Sequence, residues 1–436
     1  MNTDKLPKEW IKTKLGTLIE LKYGKSLAAH SRDGIGFDVF GSNGIVGKHS
    51  KALVNNAGLI IGRKGSFGVV NKSSSPFFPI DTTYYVDEFY KQPINFWFYY
   101  LTFLPLTKLN RSTAIPGLNR DDAYALDIIL PSLAEQKIIA DKLDDLLACM
   151  ESIKTRLEKI LGILKKFRQS VLIAAVSGRL TEDWRNNNSS EEWKELQLID
   201  VIESKPRNGH SPKGVDYKTP IKNLTLSAIT KGYFSEGCFK YVDIEVPKKS
   251  HLWLKKNDIL IQRANSIDYV GISAIYRGAD DKYIYPDLIM KVRANNRIIT
   301  EYLHYCLLSE DTREYFRRNA SGTTGNMPKI NQGTVSTVPL KLPSLPEQIE
   351  IVRRAENIFN FSESIERLTG NALSQINNLT QSIIAKAFRG ELTAQWREEN
   401  PELISGINSA EALLERIAEE KLASGNTKRS AKKAVN

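Results

Sequence analysis

The chain has 436 residues, of which 41% are hydrophobic and 25% are charged, so it is long enough for about two to four domains with buried cores. Lys and Arg together number 61 against 50 Asp and Glu, and the net charge of +11 favours a polyanionic partner, either nucleic acid or an anionic membrane surface. The three cysteines form no CxxC pair, which excludes a zinc knuckle or a disulfide framework and favours a reducing, cytoplasmic location. We expect neither a signal peptide nor a transmembrane helix, because the sequence has no long apolar run.

Residues 6–130 alternate short β-rich runs with Gly, Asn and Ser, which is typical of a compact, loop-rich α/β domain. We predict strands at 58–61, 69–70 and 84–86 and a helix at 94–104. Basic and amide side chains cluster in the loops, where such groups hold phosphates and recognise base edges. A single residue of this kind is more often plain surface, so the cluster carries the prediction. The candidate DNA-binding residues are Lys22, Lys25, Arg32, Asn43, Lys48, Arg63, Lys64, Arg111, Asn119 and Arg120.

A long helix is predicted next, from about residue 133 to 176. Its apolar residues from Ile139 to Val171 are spaced alternately four and three apart, which is the heptad seam of a coiled coil. Ser132 is placed to cap the helix, with Glu135 completing a capping box, and Gly178 is placed to end it. At 1.5 Å per residue, such a helix is roughly 65 Å long.

Residues 190–342 show the loop-rich α/β pattern again. Predicted strands lie at 258–261 and 271–276, and a helix is expected at 300–318. Arg263 directly follows a strand-like run, as Arg63 does in the first half, and this parallel favours both arginines slightly as DNA-binding candidates. The candidate DNA-binding residues of this half are Arg207, Asn208, Lys213, Arg263, Asn265, Lys329, Asn331 and Gln332.

The chain is an internal duplication. Pro131-Ser132-Leu133-Ala134-Glu135-Gln136 recurs as Pro343-Ser344-Leu345-Pro346-Glu347-Gln348, and Trp184-Arg185 recurs at the same offset as Trp396-Arg397. The front ends, marked by Trp10 and Trp193, match at a shorter offset, so the variable part of the second copy is longer. A helical part of fixed length suggests a spacer, and a variable part suggests a recognition domain.

The second spacer keeps the heptad positions from Ile351 to Ile383, with Ser362 and Thr369 among them. Because small residues allow helices to approach closely, we favour one antiparallel coiled coil made by the two copies over two separate core helices. The predicted fold is α+β, with two α/β domains separated by two long helices and related by a pseudo-twofold repeat. The predicted segments are recognition domain 1 at 1–130, spacer helix 1 at 131–186, recognition domain 2 at 187–342, spacer helix 2 at 343–400, and a C-terminal helix with a basic tail at 401–436.

No motif in the sequence predicts a catalytic or metal site. The segment 41–49 resembles a phosphate-binding loop, but it has five residues between the glycines and His49 in place of Ser or Thr. There is no HExxH, no complete dinucleotide fingerprint and no Pro-Pro pair of the kind found in adenine methyltransferases. We therefore assign no catalytic residue from the sequence.

These repeats resemble the specificity subunit of type I restriction-modification systems, over essentially the whole chain. Residues 131–140 are similar to the first conserved region of that family, and residues 377–397 are similar to its type IA subgroup. The variable halves match the family only in outline.

The resemblance implies a non-catalytic subunit whose two target-recognition domains each bind one half of a bipartite site in double-stranded DNA. The helices would space the domains and dock two methyltransferase subunits, which use S-adenosylmethionine. Restriction subunits, which use ATP and Mg, would complete the nuclease, and this chain would bind no cofactor itself. The alternatives are a specificity subunit of a solitary adenine methyltransferase, an enzyme that acts alone, and a coiled-coil scaffold that binds only proteins.

Overall fold

The computed structural model describes residues 6–110, 116–188, 191–322 and 327–433, with side chains described up to residue 423. The elements of the first copy follow the predicted order of a sheet-rich half and a long helix. Its strands are β1 Ile11–Lys14, β2 Lys22–Tyr23, β3 Phe37–Gly41, β4 Gly44–His49, β5 Gly58–Gly62, β6 Val70–Ser73, β7 Phe77–Pro79, β8 Thr83–Val86 and β9 Asp127–Leu130. Its helices are α1 Leu15–Leu18, α2 Ile94–Phe103, α3 Arg120–Tyr124, α4 Leu133–Val176 and α5 Glu182–Asn187.

The second copy has the same order and adds a helix at its end. Its strands are β10 Lys194–Gln197, β11 Arg207–Asn208, β12 Gly214–Val215, β13 Ile221–Leu224, β14 Phe239–Val242, β15 Ile259–Gln262, β16 Ser273–Ile275, β17 Ile289–Val292 and β18 Pro339–Leu342. Its helices are α6 Thr300–Leu308, α7 Glu310–Arg318, α8 Gln332–Ser336, α9 Leu345–Ala387, α10 Ala394–Glu399 and α11 Ala410–Lys433.

Contacts divide the chain into two compact units. Unit 1 comprises residues 1–156 and 372–436, and unit 2 comprises residues 157–371. The units therefore do not follow the predicted segments, because α4 and α9 each run from one unit into the other. The segment bounds given above stay a prediction along the sequence.

The two units contain matching sheets. In unit 1, β1 pairs with β9, and a four-stranded sheet has the order β2-β8-β5-β6. In unit 2, β10 pairs with β18, and the four-stranded sheet has the order β11-β17-β15-β16. The central strands β5 and β15 are buried along their whole length because both of their faces are covered. Each unit adds a three-stranded sheet, β4-β3-β7 in unit 1 and β12-β14-β13 in unit 2.

The predicted helix at 300–318 is two helices, because Ser309 interrupts it. The backbone of Ser309 is extended, with φ −59° and ψ 149°, so the chain leaves the helical path there. Ser309 is also the N-cap of α7, because its side-chain oxygen accepts a hydrogen bond from the backbone N–H of Thr312. The first helix, α6, is almost completely buried in unit 2.

The long helices pack against each other in an antiparallel arrangement, as the sequence predicts. In unit 2, Arg168 of α4 contacts Ser362 and Glu366 of α9, at 3.4 Å and 3.3 Å. In unit 1, Lys142 of α4 donates a hydrogen bond of 3.1 Å to the carbonyl of Leu392, beyond the other end of α9. Early residues of one helix thus meet late residues of the other.

The predicted heptad seam is covered only in part. Ile139, Leu143 and Val171 are buried, whereas Phe167 is exposed on α4 and Leu379 on α9. One partner helix covers a narrow stripe, so seam positions turned away from that stripe remain on the surface. Ser362 and Thr369 are buried, consistent with the expectation that small residues let the helices approach.

A fully buried glutamate closes unit 1. Glu135 accepts hydrogen bonds at Oε2 from Trp10 Nε1 (2.7 Å) and at Oε1 from Thr393 Oγ1 (2.6 Å) and Arg397 Nη1 (2.5 Å). Arg397 also donates from Nη2 to the carbonyl of Gly390, at 2.6 Å. The expected capping box is therefore only half right: Ser132 does accept from the Glu135 N–H, at 3.2 Å, but the Glu135 carboxylate serves this buried junction.

The same junction is built again in unit 2. Glu347 accepts from Trp193 Nε1 (2.9 Å), Thr181 Oγ1 (2.8 Å) and Arg185 Nη1 (2.7 Å). Arg185 Nη2 donates to the carbonyl of Gly178, at 2.7 Å. In each unit the arginine also stacks over the tryptophan ring. Each junction takes its tryptophan and glutamate from one sequence repeat and its threonine and arginine from the other.

Candidate nucleic-acid interface

Several loops of unit 1 meet at one end of its four-stranded sheet. The backbone N–H of Arg63 donates to the carbonyl of Thr82 (2.8 Å), and the N–H of Leu118 donates to the carbonyl of Arg63 (2.8 Å). Ser42 Oγ, in the turn between β3 and β4, also donates to the Thr82 carbonyl, at 2.7 Å. We name these loops loop cluster 1, which comprises residues 23–25, 42–43, 63–68, 80–82 and 116–120.

An exposed tyrosine lies between two arginines of loop cluster 1. Tyr23 is 49% exposed, and its ring lies 5.3 Å from the guanidinium carbon of Arg63 and 5.1 Å from that of Arg120. The Tyr23 ring also contacts the ring of Tyr84, at 5.1 Å between centroids. Burial, with the side-chain hydrogen bond between Tyr84 and Tyr23, raises the pKa of Tyr84 to about 12, so this phenol stays neutral. The arrangement presents two cations on a rigid aromatic support.

Unit 2 repeats this architecture. The N–H of Arg263 donates to the carbonyl of Leu288 (2.8 Å), and the N–H of Ile330 donates to the carbonyl of Arg263 (2.9 Å). The isolated pairing of Ala264 with Lys329 corresponds to that of Lys64 with residue 117 in unit 1. We name these loops loop cluster 2, which comprises residues 208–210, 263–271, 286–288 and 327–332.

The matching hydrogen bonds define equivalent positions in the two clusters. The two loop arginines, Arg63 and Arg263, each donate a side-chain hydrogen bond to the carbonyl of an aspartate, Asp81 at 2.6 Å and Asp287 at 3.3 Å. These arginines therefore fix the loops in the same way in both units. The equivalent pairs are Lys22 and Arg207, Tyr23 and Asn208, Arg63 and Arg263, Lys64 and Ala264, Asn119 and Asn331, and Arg120 and Gln332.

The structure brings together most of the candidate residues predicted from the sequence. In unit 1, Lys25, Asn43, Arg63, Lys64, Asn119 and Arg120 lie in loop cluster 1. In unit 2, Asn208, Arg263, Asn265, Lys329, Asn331 and Gln332 lie in loop cluster 2, with Arg207 on the strand that leads into it. Arg111 lies outside the described residues. The DNA-binding role of each of these residues stays a prediction.

Three candidates in unit 1 have partners within the chain. Lys22 forms an ion pair of 2.5 Å with Asp87; burial lowers the pKa of Lys22, but the hydrogen bond and charge of Asp87 outweigh it and raise the pKa above its ordinary value. Arg32 donates to the carbonyl of Val46, at 2.9 Å, and so braces the β3–β4 hairpin. Lys48 lies 3.6 Å from the carboxylate of Asp38 on the neighbouring strand. These intrachain contacts give Lys22 and Arg32 structural roles.

Three candidate asparagines also have local structural roles. Asn119 caps α3 by accepting hydrogen bonds from the N–H groups of Asp121 and Asp122, and Asn331 caps α8 through Thr334. Asn265 donates to the side chain of Gln262, at 2.8 Å. The two caps place the residues that follow Asn119 and Asn331 in a defined orientation. The remaining candidate of unit 2, Lys213, is exposed on the segment before β12.

Sequence reasoning missed Tyr23. The signal that could have found it is the matching pair of segments Lys22-Tyr23-Gly24 and Arg207-Asn208-Gly209, in which the glycine packs tightly against a backbone carbonyl in both units.

Among the residues that the structure describes, no group of three or more His, Cys, Asp or Glu is placed to hold a metal ion. No helix in the described part of the chain is long and apolar enough to cross a membrane.

Two loop clusters that carry cationic and amide side chains lie at equivalent ends of duplicated sheets, and they are typical of a DNA-binding protein with two recognition domains. Comparison with known proteins agrees. Residues 7–161 and 190–375 match the family described as the type I restriction modification DNA specificity domain.

Two specificity subunits of Escherichia coli are similar in sequence to this chain over most or all of its length. The chain is 34% identical to the type I restriction enzyme EcoDI specificity subunit of Escherichia coli over all of both chains. It is 39% identical to the EcoKI specificity subunit of Escherichia coli strain K12 over 75% of this chain and 71% of that one.

One solved structure from work on complex assembly and conformational transition of the type I restriction-modification system has the same fold. Its TM-score is 0.60 at 16% identity, covering 89% of this chain and 99% of that chain. The chain therefore belongs to the family of type I restriction-modification specificity proteins, and the prediction made from its repeats is confirmed.

Proposed function

We propose that this chain binds a bipartite site in double-stranded DNA on behalf of a type I restriction-modification complex, with loop cluster 1 on one half-site and loop cluster 2 on the other. The observation that carries the proposal is the pair of equivalent loop clusters, which share a backbone framework but differ in the side chains they present. A shared framework suits contacts with the common sugar-phosphate backbone, and different side chains suit different base sequences.

The same proposal assigns the other components to partner subunits. Two methyltransferase subunits would use S-adenosylmethionine to methylate an adenine in each half-site, and restriction subunits would use ATP and Mg. This chain would contribute recognition and spacing, with no catalytic residue and no cofactor of its own, in the cytoplasm, where the DNA is. The net charge of +11 supports electrostatic attraction to the phosphates of DNA.

The test is to map N6-methyladenine in the DNA of cells that express this gene with its methyltransferase gene. The expected result is a split motif of two half-sites at a fixed gap, which disappears when this gene is deleted. A methylation pattern that is unchanged by the deletion would contradict the proposal.

A second measurement separates the remaining alternatives. DNA binding by the complex should fall steeply with salt and should depend on both half-sites. Binding of partner subunits without any effect of DNA would instead favour a protein-only scaffold. Methylation or cleavage of DNA by the purified chain alone would revive an enzyme that acts by itself.

A further inference from the structure

Arg120 and Gln332 occupy the same position in the two loop clusters. Each is the first residue of a short helix, α3 or α8, and each directly follows the asparagine that caps that helix. The segment before each helix is fixed by the equivalent backbone hydrogen bond to Arg63 or Arg263. The framework therefore places two chemically different side chains at one structural position.

Arg120 is oriented by aromatic rings, and its hydrogen-bonding groups are uncommitted. Its guanidinium carbon lies 5.1 Å from the centre of the Tyr23 ring and 5.8 Å from that of the Tyr124 ring. Its buried Nε has no hydrogen-bond partner among the described residues. These ring contacts use none of the guanidinium N–H groups, so Nη1 and Nη2 remain available for a planar pair of acceptors.

Arg63 differs from Arg120 in this respect. Its Nε and Nη2 both donate to the carbonyl of Asp81, at 3.1 Å and 2.6 Å, so two of its nitrogen atoms are occupied within the protein. The equivalent Arg263 also donates to a backbone carbonyl, that of Asp287. These two arginines hold the loops, whereas Arg120 shares the Tyr23 ring with Arg63 and makes no hydrogen bond through its side chain among the described residues.

Gln332 is equally uncommitted in unit 2. Its side chain is exposed and takes no part in a hydrogen bond among the described residues, while its backbone carbonyl accepts one from the hydroxyl of Ser336, at 2.8 Å. A glutamine amide has one donor and one acceptor at its end, which match the N6 and N7 groups of adenine. A guanidinium has two parallel donors, which match the O6 and N7 acceptors of guanine.

We propose that Arg120 and Gln332 are base-reading residues at equivalent positions, with Arg120 selecting a guanine in one half-site and Gln332 selecting an adenine in the other. The proposal rests on the proposed function, since it names residues within the two recognition surfaces. It accounts for the difference between the two clusters at this position, where their backbone framework is the same.

The test exchanges the two residues in the full-length chain, assembled with its methyltransferase subunits. Arg120→Gln and Gln332→Arg complexes are each used to select bound sequences from a library of random DNA duplexes. Arg120→Gln should replace a preferred guanine by adenine at one position of one half-site, and Gln332→Arg should make the opposite change in the other. The expected change in relative affinity for the two bases is about 5- to 150-fold.

Two further variants keep the result interpretable. Arg120→Lys keeps the charge but loses the planar pair of donors, so guanine preference should fall with no gain for adenine. Lys64→Ala, in the same loop cluster, should weaken binding to all sequences alike, because an exposed lysine holds phosphate. Since Gln332 is exposed, Gln332→Arg tests the equivalence even if the Arg120 variants fold poorly.

Unchanged base preferences in the Gln332→Arg complex, with a bipartite site still bound, would overturn this inference and leave the proposed function standing. A wild-type complex that selects no bipartite motif would instead refute the proposed function itself. A change of preference confined to the predicted half-site supports both.

Discussion

Arg185 Nη1 lies 2.7 Å from Oε1 of Glu347, and the same contact between Arg397 and Glu135 closes the other unit. Both carboxylates are completely buried. Each arginine belongs to the sequence repeat that its glutamate does not, so the end of one repeat completes the unit built around the other. The duplication thus produces two closed units from one continuous chain.

Glu347→Ala should destabilise unit 2 by about 3–5 kcal/mol, because it leaves the buried Thr181 donor and the partly buried Arg185 charge and Trp193 donor without their acceptor. Hydrogen exchange followed by mass spectrometry measures this effect. Protection should fall for amides of β10, β18 and α6 in unit 2.

The matched control is Glu363→Ala, which removes an exposed carboxylate from the same helix and should change protection little. The mirror variant Glu135→Ala should transfer the loss of protection to unit 1. Equal loss in both units from either variant would show that the junctions do not stabilise their own units separately.

Phe388→Ala should destabilise unit 1 by about 3–5 kcal/mol, since it leaves a large cavity among aromatic rings. Phe388 is buried and stacks on Tyr100 with 4.4 Å between ring centroids, next to Phe96 and Phe103. Thermal unfolding should show a lower midpoint for the transition of unit 1. Phe361→Ala is the control, because Phe361 is 65% exposed on α9, the helix that ends just before Phe388, and a comparable loss there would contradict the assignment.

The long helices were predictable from the sequence because their signals are local. A heptad spacing, Ser132 before the first turn and Gly178 after the last turn all lie within the segment they define, and Gly178 does adopt a left-handed conformation, with φ 81°. The role of Glu135 was not predictable, because its partners Trp10 and Arg397 are distant in sequence. The local pattern favoured a capping box, but the Glu135 carboxylate forms its hydrogen bonds in the buried junction instead.

The candidate site shows the same division. Basic and amide residues in loops predicted the general surface, since composition and position are visible in the sequence. Which of them are committed within the protein depends on tertiary contacts: Arg63 binds the Asp81 carbonyl, and Lys22 binds Asp87, whereas Arg120 only stacks on rings. Nothing in the sequence alone distinguishes these three cations.

The stability of unit 2 should depend on pH through His304. Burial lowers the pKa of this imidazole to about 4, with its Nε2 against the carbonyl of Ser273 at 3.0 Å. In the unfolded chain its pKa is about 6.5. The unfolded state therefore binds the proton first, and stability is lost as the pH falls from about 6.5 to about 4, with about 2 kcal/mol lost between pH 7.5 and pH 5.

The measurement is the thermal midpoint of the wild type and of His304→Gln at pH 7.5, 6 and 5. Glutamine can keep the hydrogen bond to Ser273 but does not titrate, so the variant should lose less stability than the wild type over this range. Parallel curves for the two proteins would show that His304 is not the group responsible.

The gap between the two half-sites should depend on the length of the long helices. Removing one heptad from each, residues 161–167 of α4 and 363–369 of α9, shortens both by about 10 Å, which corresponds to about three base pairs at 3.4 Å each. Both deletions are needed, because α4 and α9 pack side by side, with Arg168 against Ser362, and a deletion in one helix alone would shift its register against the other. Selection from random duplexes should return the same half-sites with a shorter gap, and methylation at the wild-type site should be lost.

The control is a full-length chain with Lys165→Ala and Glu363→Ala, which is altered only at exposed positions of the same stretch and should keep the original gap. If the shortened chain also selected half-sites at the original gap, the helices would not set the spacing between the half-sites.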